Sequence, residues 1–98
     1  MYLKSITSLS KDEVAEYTAI YKRLEEKFGK PSSWRDTIFS ELHHTQTPGT
    51  HKYTGIVKPF IPITELELAM VLDRGFSNFG GVVSLSPSGH FQVSIYFD

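Results

Sequence analysis

Large apolar residues recur at steps of three and four near the start of the chain, as they do along one stripe of an amphipathic helix. The stripe consists of Val14, Tyr17, Tyr21, Leu24 and Phe28. Ser10 and Glu13 have the spacing of a capping box at its start, and Gly29 and Pro31 are typical of a helix end. We therefore predict a helix from about residue 10 to residue 28, with a charged, solvated opposite face.

A second helix is predicted from about residue 33 to residue 43. Trp34, Ile38 and Leu42 recur at every fourth position, which is the spacing of one helix face. The next stretch, residues 44–51, contains no apolar side chain and includes a Pro-Gly turn signal. This stretch is predicted to be an exposed loop.

A third helix is predicted to begin at Thr64, because Thr64 and Glu67 have the spacing of a capping box. Gly75 is placed to end this helix in the left-handed conformation that glycine adopts readily. Phe76 would then contact Val71, as in a Schellman ending. The helix spans only about ten residues, so its stability depends on tertiary packing.

The last part of the chain is predicted to be a β-hairpin whose register follows from its turn. Pro87-Ser88-Gly89 fits a type I turn followed by a glycine bulge, which makes Ser86 face His90. The predicted core-face pairs are Leu85 with Phe91, Val83 with Val93, and Gly81 with Ile95. The predicted outer-face pairs are Ser84 with Gln92, Val82 with Ser94, and Gly80 with Tyr96. A slip of one residue would destroy this separation of faces.

These elements predict an α+β fold in a single small domain over residues 1–98. Their order is (β)ααβαββ, in which the bracketed strand is the short segment 2–7 and the next strand spans 52–58. We expect the helices to pack on one face of a small antiparallel or mixed sheet that ends in the C-terminal β-hairpin. A chain of 98 residues has room for one hydrophobic core and not for two.

Composition and charge exclude several functional classes. Ten Lys and Arg against eleven Asp and Glu give a net charge of −1, without the basic excess of a nonspecific nucleic-acid binder. The absence of cysteine excludes disulfide scaffolds, thiolate metal sites and thiol nucleophiles. No apolar run approaches the roughly 18 residues of a membrane span, and no signal-peptide core is present. We expect a cytoplasmic protein without cofactors.

Histidines supply the one group with metal-ligand chemistry. His43, His44 and His51, with Glu41 nearby, are the candidate ligands of a small metal-dependent enzyme. Their spacing fits no metal motif, and the adjacent His43 and His44 are expected to project in different directions. Nucleophile elbows and phosphate-binding loops are also missing, and glycines 80–81 are better explained by a close backbone approach. No catalytic residue and no metal ligand is therefore assigned, and the metal enzyme stays an alternative.

The most informative feature is a stretch without charge. No Asp, Glu, Lys or Arg occurs from residue 75 to residue 97, although exposed strands usually carry charges. Tyr, Ser, Gln and His side chains are typical of protein-recognition surfaces. The predicted partner-binding residues are Ser84, His90, Gln92, Ser94, Tyr96, Phe76 and Phe79. A homodimer interface on the same face and cover by residues 59–63 of the same chain are the alternatives.

The predicted function is that of a non-enzymatic protein-binding module. It would dock on a larger protein, as small inhibitors, immunity proteins and accessory subunits do, with Tyr96 as an anchor. A small, nearly neutral chain without cysteine or a catalytic motif is also typical of phage or mobile-element proteins that disable host machinery. A second alternative is a single-stranded nucleic-acid binder that stacks bases on Tyr96, Phe76 and Phe79. The lack of basic residues near the hairpin argues against it.

Overall fold

A five-stranded antiparallel sheet is the centre of the computed structural model, which describes residues 2–73 and 80–97. The strands are β1 (Tyr2–Leu3), β2 (Phe39–Thr47), β3 (Thr50–Val57), β4 (Gly81–Leu85) and β5 (His90–Tyr96). The helices are α1 (Lys11–Phe28), α2 (Trp34–Ile38) and α3 (Glu65–Leu72), with 3-10 turns at Ile6–Ser8 and Pro31–Ser33. The strand order is β1-β4-β5-β3-β2, so the predicted α+β class is confirmed.

The three helices lie on one face of the sheet, here called the helix side, and leave the opposite outer face uncovered. Val83, Val93 and Ile95 point to the helix side and are fully buried. Their neighbours Ser84 and Gln92 point the other way and are exposed. This alternation confirms the predicted packing of helices on a single face of the sheet.

The first helix begins as predicted. The Ser10 hydroxyl accepts a hydrogen bond from the Glu13 N–H, and the Glu13 carboxylate accepts one from the Ser10 N–H. Its buried stripe differs from the prediction at one end, because Val14 is 46% exposed whereas Ile20 is buried. Ile20 fits the same helical spacing as Leu24, which is also buried, so two stripes were compatible with the sequence.

The second helix is shorter than predicted, and the predicted loop is part of a hairpin. α2 ends at Ile38, Phe39 starts β2, and residues 44–51 form the turn end of the β2–β3 hairpin, which turns at Pro48 and Gly49. The predictions of a helix to residue 43 and of a loop were therefore wrong. Helical spacing holds only for Trp34 and Ile38, which are buried, and strand pairing determines the conformation beyond them.

The third helix lies in the core, which explains its almost continuous apolar sequence. Thr64 and Glu67 form the predicted capping box, and residues 67–72 are all buried. The Glu67 carboxylate lies 3.4 Å from the Lys27 ammonium of α1, so the buried charge is paired. The helix ends at Leu72, a little earlier than predicted, and the expected ending at Gly75 and Phe76 lies outside the described residues.

The C-terminal hairpin has the predicted register throughout. Leu85 pairs with Phe91, Val83 with Val93, Gly81 with Ile95, Ser84 with Gln92, and Val82 with Ser94. The Tyr96 N–H donates to the Gly80 carbonyl, and Gly89 has the left-handed φ of +93° that the predicted turn requires. A side chain on Gly80 or Gly81 would collide with the backbone of Leu3 or Ser94, so the close strand approach is confirmed.

Two smaller results complete the fold. The predicted strand over residues 2–7 is reduced to Tyr2–Leu3, which pairs with β4, and Ile6–Ser8 form a 3-10 turn. The Ser5 hydroxyl caps that turn by accepting a hydrogen bond from the Thr7 N–H, which interrupts the strand pattern. Among the residues that the structure describes, no helix has the length and apolar character needed to cross a membrane.

Candidate functional site

The outer face divides into two halves that differ in charge. Among the described strand residues only Glu41 and Lys52 are charged, and both lie on the outer face of β2 and β3. The other half, here called the neutral half, is formed by β1, β4 and β5. Its side chains are Tyr2, Val82, Ser84, His90, Gln92, Ser94 and Tyr96. A partner could cover this half without removing a charge from water.

Five of the seven predicted site residues lie together on the neutral half. Ser84 pairs with Gln92 across the β4–β5 hairpin, and Ser94 and Tyr96 follow at alternate positions of β5. His90 lies at the turn end of the same face, where its Nδ1 is 3.0 Å from the Ser88 hydroxyl. The remaining two residues, Phe76 and Phe79, lie outside the described residues.

Two apolar or aromatic side chains outside the predicted site residues, Val82 and Tyr2, extend the neutral half beside Tyr96. Tyr96 and Val82 are each 41% exposed, and Tyr2 is 69% exposed. Tyr2 lies opposite Val82 because β1 pairs with β4. Tyr2 could not be predicted from the sequence, because this pairing joins distant parts of the chain and a strand of two residues has no readable alternation.

Residues 59–63 do not cover the outer face, contrary to one of the alternatives. Ile61 and Ile63 pack against the core from the end of the sheet, where the segment borders a cavity of about 140 Å³ beside the β4–β5 turn. Phe60 is fully exposed and has a φ of +68°, which is rare for a residue other than glycine. Within residues 2–73 and 80–97 the face is therefore open, and Phe60 is a further exposed aromatic side chain.

The candidate metal ligands are divided between the two faces of the sheet. His44 and His51 lie on the helix side, where His44 Nε2 and His51 Nδ1 are 2.8 Å apart and one imidazole donates a hydrogen bond to the other. His43 and Glu41 lie on the outer face, so the adjacent histidines do project in different directions. Within the described ranges, no group of three or more His, Cys, Asp or Glu could hold a metal ion.

Planar groups surround the histidine pair. The His44 ring lies parallel to Tyr53 with centroids 4.4 Å apart, and His51 lies 4.5 Å from Phe97. Arg35 places its guanidinium 5.6 Å from the centre of the Tyr53 ring. Partial desolvation of its ring lowers the pKa of His44, and the nearby His51 and Arg35 lower it further. The cluster therefore favours a neutral His44, and it provides packing for the polar hairpin.

Burial raises the pKa of Tyr53, which keeps its phenol protonated beside the guanidinium of Arg35. The effect of burial outweighs the opposing effect of Arg35 on this pKa, so the phenol acts as a neutral packing group of the cluster. These residues were not predicted to lie together, because His44 and His51 were expected in a loop. The signal for a strand was the pair of threonines at alternate positions after His44, Thr45 and Thr47, since threonine favours strands.

Comparisons with known proteins leave the function to be inferred from this chain alone. No protein-family model, curated protein or solved structure matches it. Two arrangements of side chains therefore compete as the functional site, the neutral half of the outer face and the histidine pair of the helix side. The neutral half is the better candidate because it is open, continuous and without charge, whereas His44 and His51 serve each other as hydrogen-bond partners.

Proposed function

We propose that this chain is a non-enzymatic protein-binding module that docks through the neutral half of its outer face. One observation carries the proposal: three adjacent strands present a helix-free surface on which no described residue is charged. Exposed strand faces normally carry charged side chains, so a face without them fits a surface that is covered in its working state.

The proposed partner is a folded protein with a flat and mostly uncharged contact surface. A charge of the partner placed against the neutral half would lose its hydration and gain no ion pair in return. Tyr2 and Tyr96 supply rigid contact area, as tyrosines do in many recognition surfaces. Near Val82, hydrogen-bond donors and acceptors are supplied by the hydroxyls of Ser84 and Ser94 and by the amide of Gln92.

The proposed mechanism is steric occlusion of the partner, with Tyr96 as the anchor. Such a mode of action belongs to cytoplasmic inhibitors, immunity proteins and accessory subunits, including those that phages and mobile elements direct against host machinery. It needs no reacting group, which agrees with the proposal that the chain is not an enzyme. In the proposed interface the contact extends from Tyr96 across β4 to Tyr2 on β1.

The experiment compares binding by the wild type, a face variant and a control variant. Protein captured from source-organism lysate is identified by mass spectrometry and purified, and its affinity for each variant is then measured. We expect Tyr96→Ala, alone and with Gln92→Ala, to weaken binding by at least about 1 kcal/mol, or roughly fivefold. The control is Lys22→Ala with Glu25→Ala, two exposed changes on α1. It should bind like the wild type.

Two outcomes contradict the proposal. Equal affinities for the purified partner in the wild type and the face variant would remove the neutral half from the interface. Loss of binding in the α1 control alone would place the interface on the helices. Circular dichroism of every variant shows whether a loss of binding is a loss of fold.

We do not propose the two alternative functions. A metal enzyme would need His43 and Glu41 beside His44, whereas the sheet separates them onto opposite faces. A nucleic-acid binder needs cations near its stacking aromatics, and Lys52 is the only cation on the outer face among the described strand residues.

A further inference from the structure

Among the residues that the structure describes, β2 is an open edge of the sheet. It is nine residues long, it ends the strand order, and its hydrogen-bonded neighbour in the sheet is β3. Every residue of β2 is exposed apart from Phe39, which is buried, and Leu42, which is half-buried. The opposite edge is formed by β1, which has only two residues. A long exposed edge is a template for pairing with another strand.

The direction of the backbone groups along β2 follows from the hydrogen bonds of β3. The Val57 N–H donates to Gly89 beside β5, whereas the Lys58 N–H donates to Ile38 beside β2. Peptide groups of an inner strand thus point alternately to its two neighbours. The same alternation in β2 leaves three residues with backbone N–H and C=O groups directed to the open edge. They are Leu42, His44 and Gln46.

Few of the usual protections against edge pairing are present in β2. Edge strands are commonly blocked by lysine, by proline or by a bulge. β2 contains neither lysine nor proline, and its one irregularity lies between Phe39 and Glu41, close to where the strand begins. The segment from Glu41 to Thr47 is therefore regular, exposed and able to accept another strand.

We propose that β2 pairs antiparallel with β2 of a second copy of this chain, around a two-fold axis at Leu42. Leu42 then faces Leu42 of the second copy on the helix side, so that two half-buried apolar side chains meet. Glu41 faces His43 of the second copy on the outer face, and the two-fold axis creates this pair twice. Residues 39–45 of the two β2 strands then lie side by side, and the two sheets become one sheet of ten strands, with all helices on the same side.

The charge pattern of β2 selects this register over its neighbours. An axis at Glu41 would place two carboxylates opposite each other, which destabilises a strand pair. An axis at His43 would set imidazole against imidazole and Leu42 against His44. Only the axis at Leu42 joins carboxylate to imidazole and leucine to leucine. Glu41 and His43 would form a non-hydrogen-bonded pair, in which cross-strand side chains are closest.

This inference goes beyond the proposed function and does not depend on it. The dimer uses the backbone edge of β2, whereas the proposed partner covers the side chains of β1, β4 and β5. Edge pairing leaves both neutral halves accessible and places them on the same side of the dimer. A dimer would therefore present two docking surfaces to the same partner or to two partners.

Sedimentation equilibrium of the full chain tests the dimer. We expect a concentration-dependent rise from the monomer mass of 11.1 kDa to twice that value. Glu41→Lys should weaken the dimer roughly tenfold, because both attractive pairs lose their attraction and lysine protects strand edges. Gln92→Lys is the control, since it introduces the same lysine at an exposed outer-face position away from the edge. It should leave the dimer unchanged.

A charge exchange tests the register. Glu41→His alone should weaken the dimer, and Glu41→His with His43→Glu in the same chain should restore it. A monomer at all concentrations up to roughly 1 mM overturns the proposal, as does a dimer that Glu41→Lys leaves intact. A dimer that only Gln92→Lys disrupts would instead join two outer faces, which would also contradict the docking proposed for the neutral half.

Discussion

The two hairpins of the sheet place different side-chain chemistry on the helix side. In β4–β5 the helix-side residues are aliphatic or aromatic, and Val83, Val93 and Ile95 are fully buried. In β2–β3 the matching positions contain rings that also carry polar atoms, among them His44 and Tyr53. The first hairpin is stabilised mainly by removal of apolar area from water. The second is stabilised by ring stacking and a hydrogen bond between imidazoles.

This difference explains why the two hairpins contribute unequally to the hydrophobic core. Helices α1 and α3 need an apolar surface to pack on, and β4 and β5 supply it beneath α3. The turn end of the β2–β3 hairpin is exposed. Its polar rings can stack face to face while their edges remain in contact with water. Rings that carry polar atoms, such as those of His44 and Tyr53, can therefore form a strand where the sheet extends beyond the helices that pack on it.

The largest effect is expected from breaking the apolar hairpin. Phe91→Ala removes a buried ring that lies 5.0 Å from Phe39, and it should lower the free energy of unfolding by about 3–5 kcal/mol. Chemical denaturation measures this loss. Gln92→Ala, at the neighbouring outer-face position, is the control and should change stability little. An unchanged melting temperature for Phe91→Ala would contradict the register of β4 and β5.

A smaller effect is expected from crowding the polar hairpin. Gly55 lies opposite Leu42, and a side chain added there would meet the Glu41 carbonyl. Gly55→Ala should therefore destabilise the fold by about 1–3 kcal/mol, the usual cost of overpacking. Thr54→Ala, one position away on the outer face, should cost less. Equal stability of the wild type and Gly55→Ala would show that β2 is not held against β3 as described.

The exposed tyrosine of the apolar hairpin should matter little for stability. Tyr96→Ala should lower the free energy of unfolding by about 1 kcal/mol or less, because strand propensity is most of what it loses. Thermal unfolding followed by circular dichroism is sufficient to measure this. Global unfolding of the variant would mean that Tyr96 belongs to the core and that the assigned faces are inverted.

The smallest expected effect is a pH dependence of stability that arises in the β2–β3 hairpin. The pKa of His44 lies below its ordinary 6.5, chiefly because its ring is partly desolvated, so the folded protein takes up a proton there less readily than the unfolded chain. The contribution of His44 to stability is present above pH 6.5 and decreases as the pH falls through the lowered pKa. His44→Phe keeps a ring beside Tyr53 and should show a shallower loss of stability between pH 7 and pH 5. Identical pH profiles would contradict this role of His44.

Much of the fold could be predicted because apolar periodicity and capping residues act locally. The capping boxes at Ser10 and Thr64 and the turn at Gly89 all form as their residues indicate. The β4–β5 register was predictable because one apolar face fits only one pairing. These signals share one property, which is that neighbouring residues determine them.

The β2–β3 hairpin could not be predicted in the same way, because its polar rings do not produce the alternation of apolar and polar residues that indicates a strand. Trp34, Ile38 and Leu42 also fit a helix, and only strand pairing ends that helix at Ile38. Five residues of the candidate site followed from the C-terminal hairpin. Tyr2 did not, since its position depends on the pairing of β1 with β4.

The pairing of β1 with β4 also has a kinetic consequence. Tyr2 and Val82 are about 80 residues apart in sequence, so their contact closes a long loop, whereas β2 and β3 are joined by a two-residue turn that hairpins close within microseconds. We expect β1 to join the sheet late in folding and to open first in the native state, as native-state hydrogen exchange would report. Each opening exposes the edge of β4, so this two-residue strand determines whether the sheet presents one open edge or two.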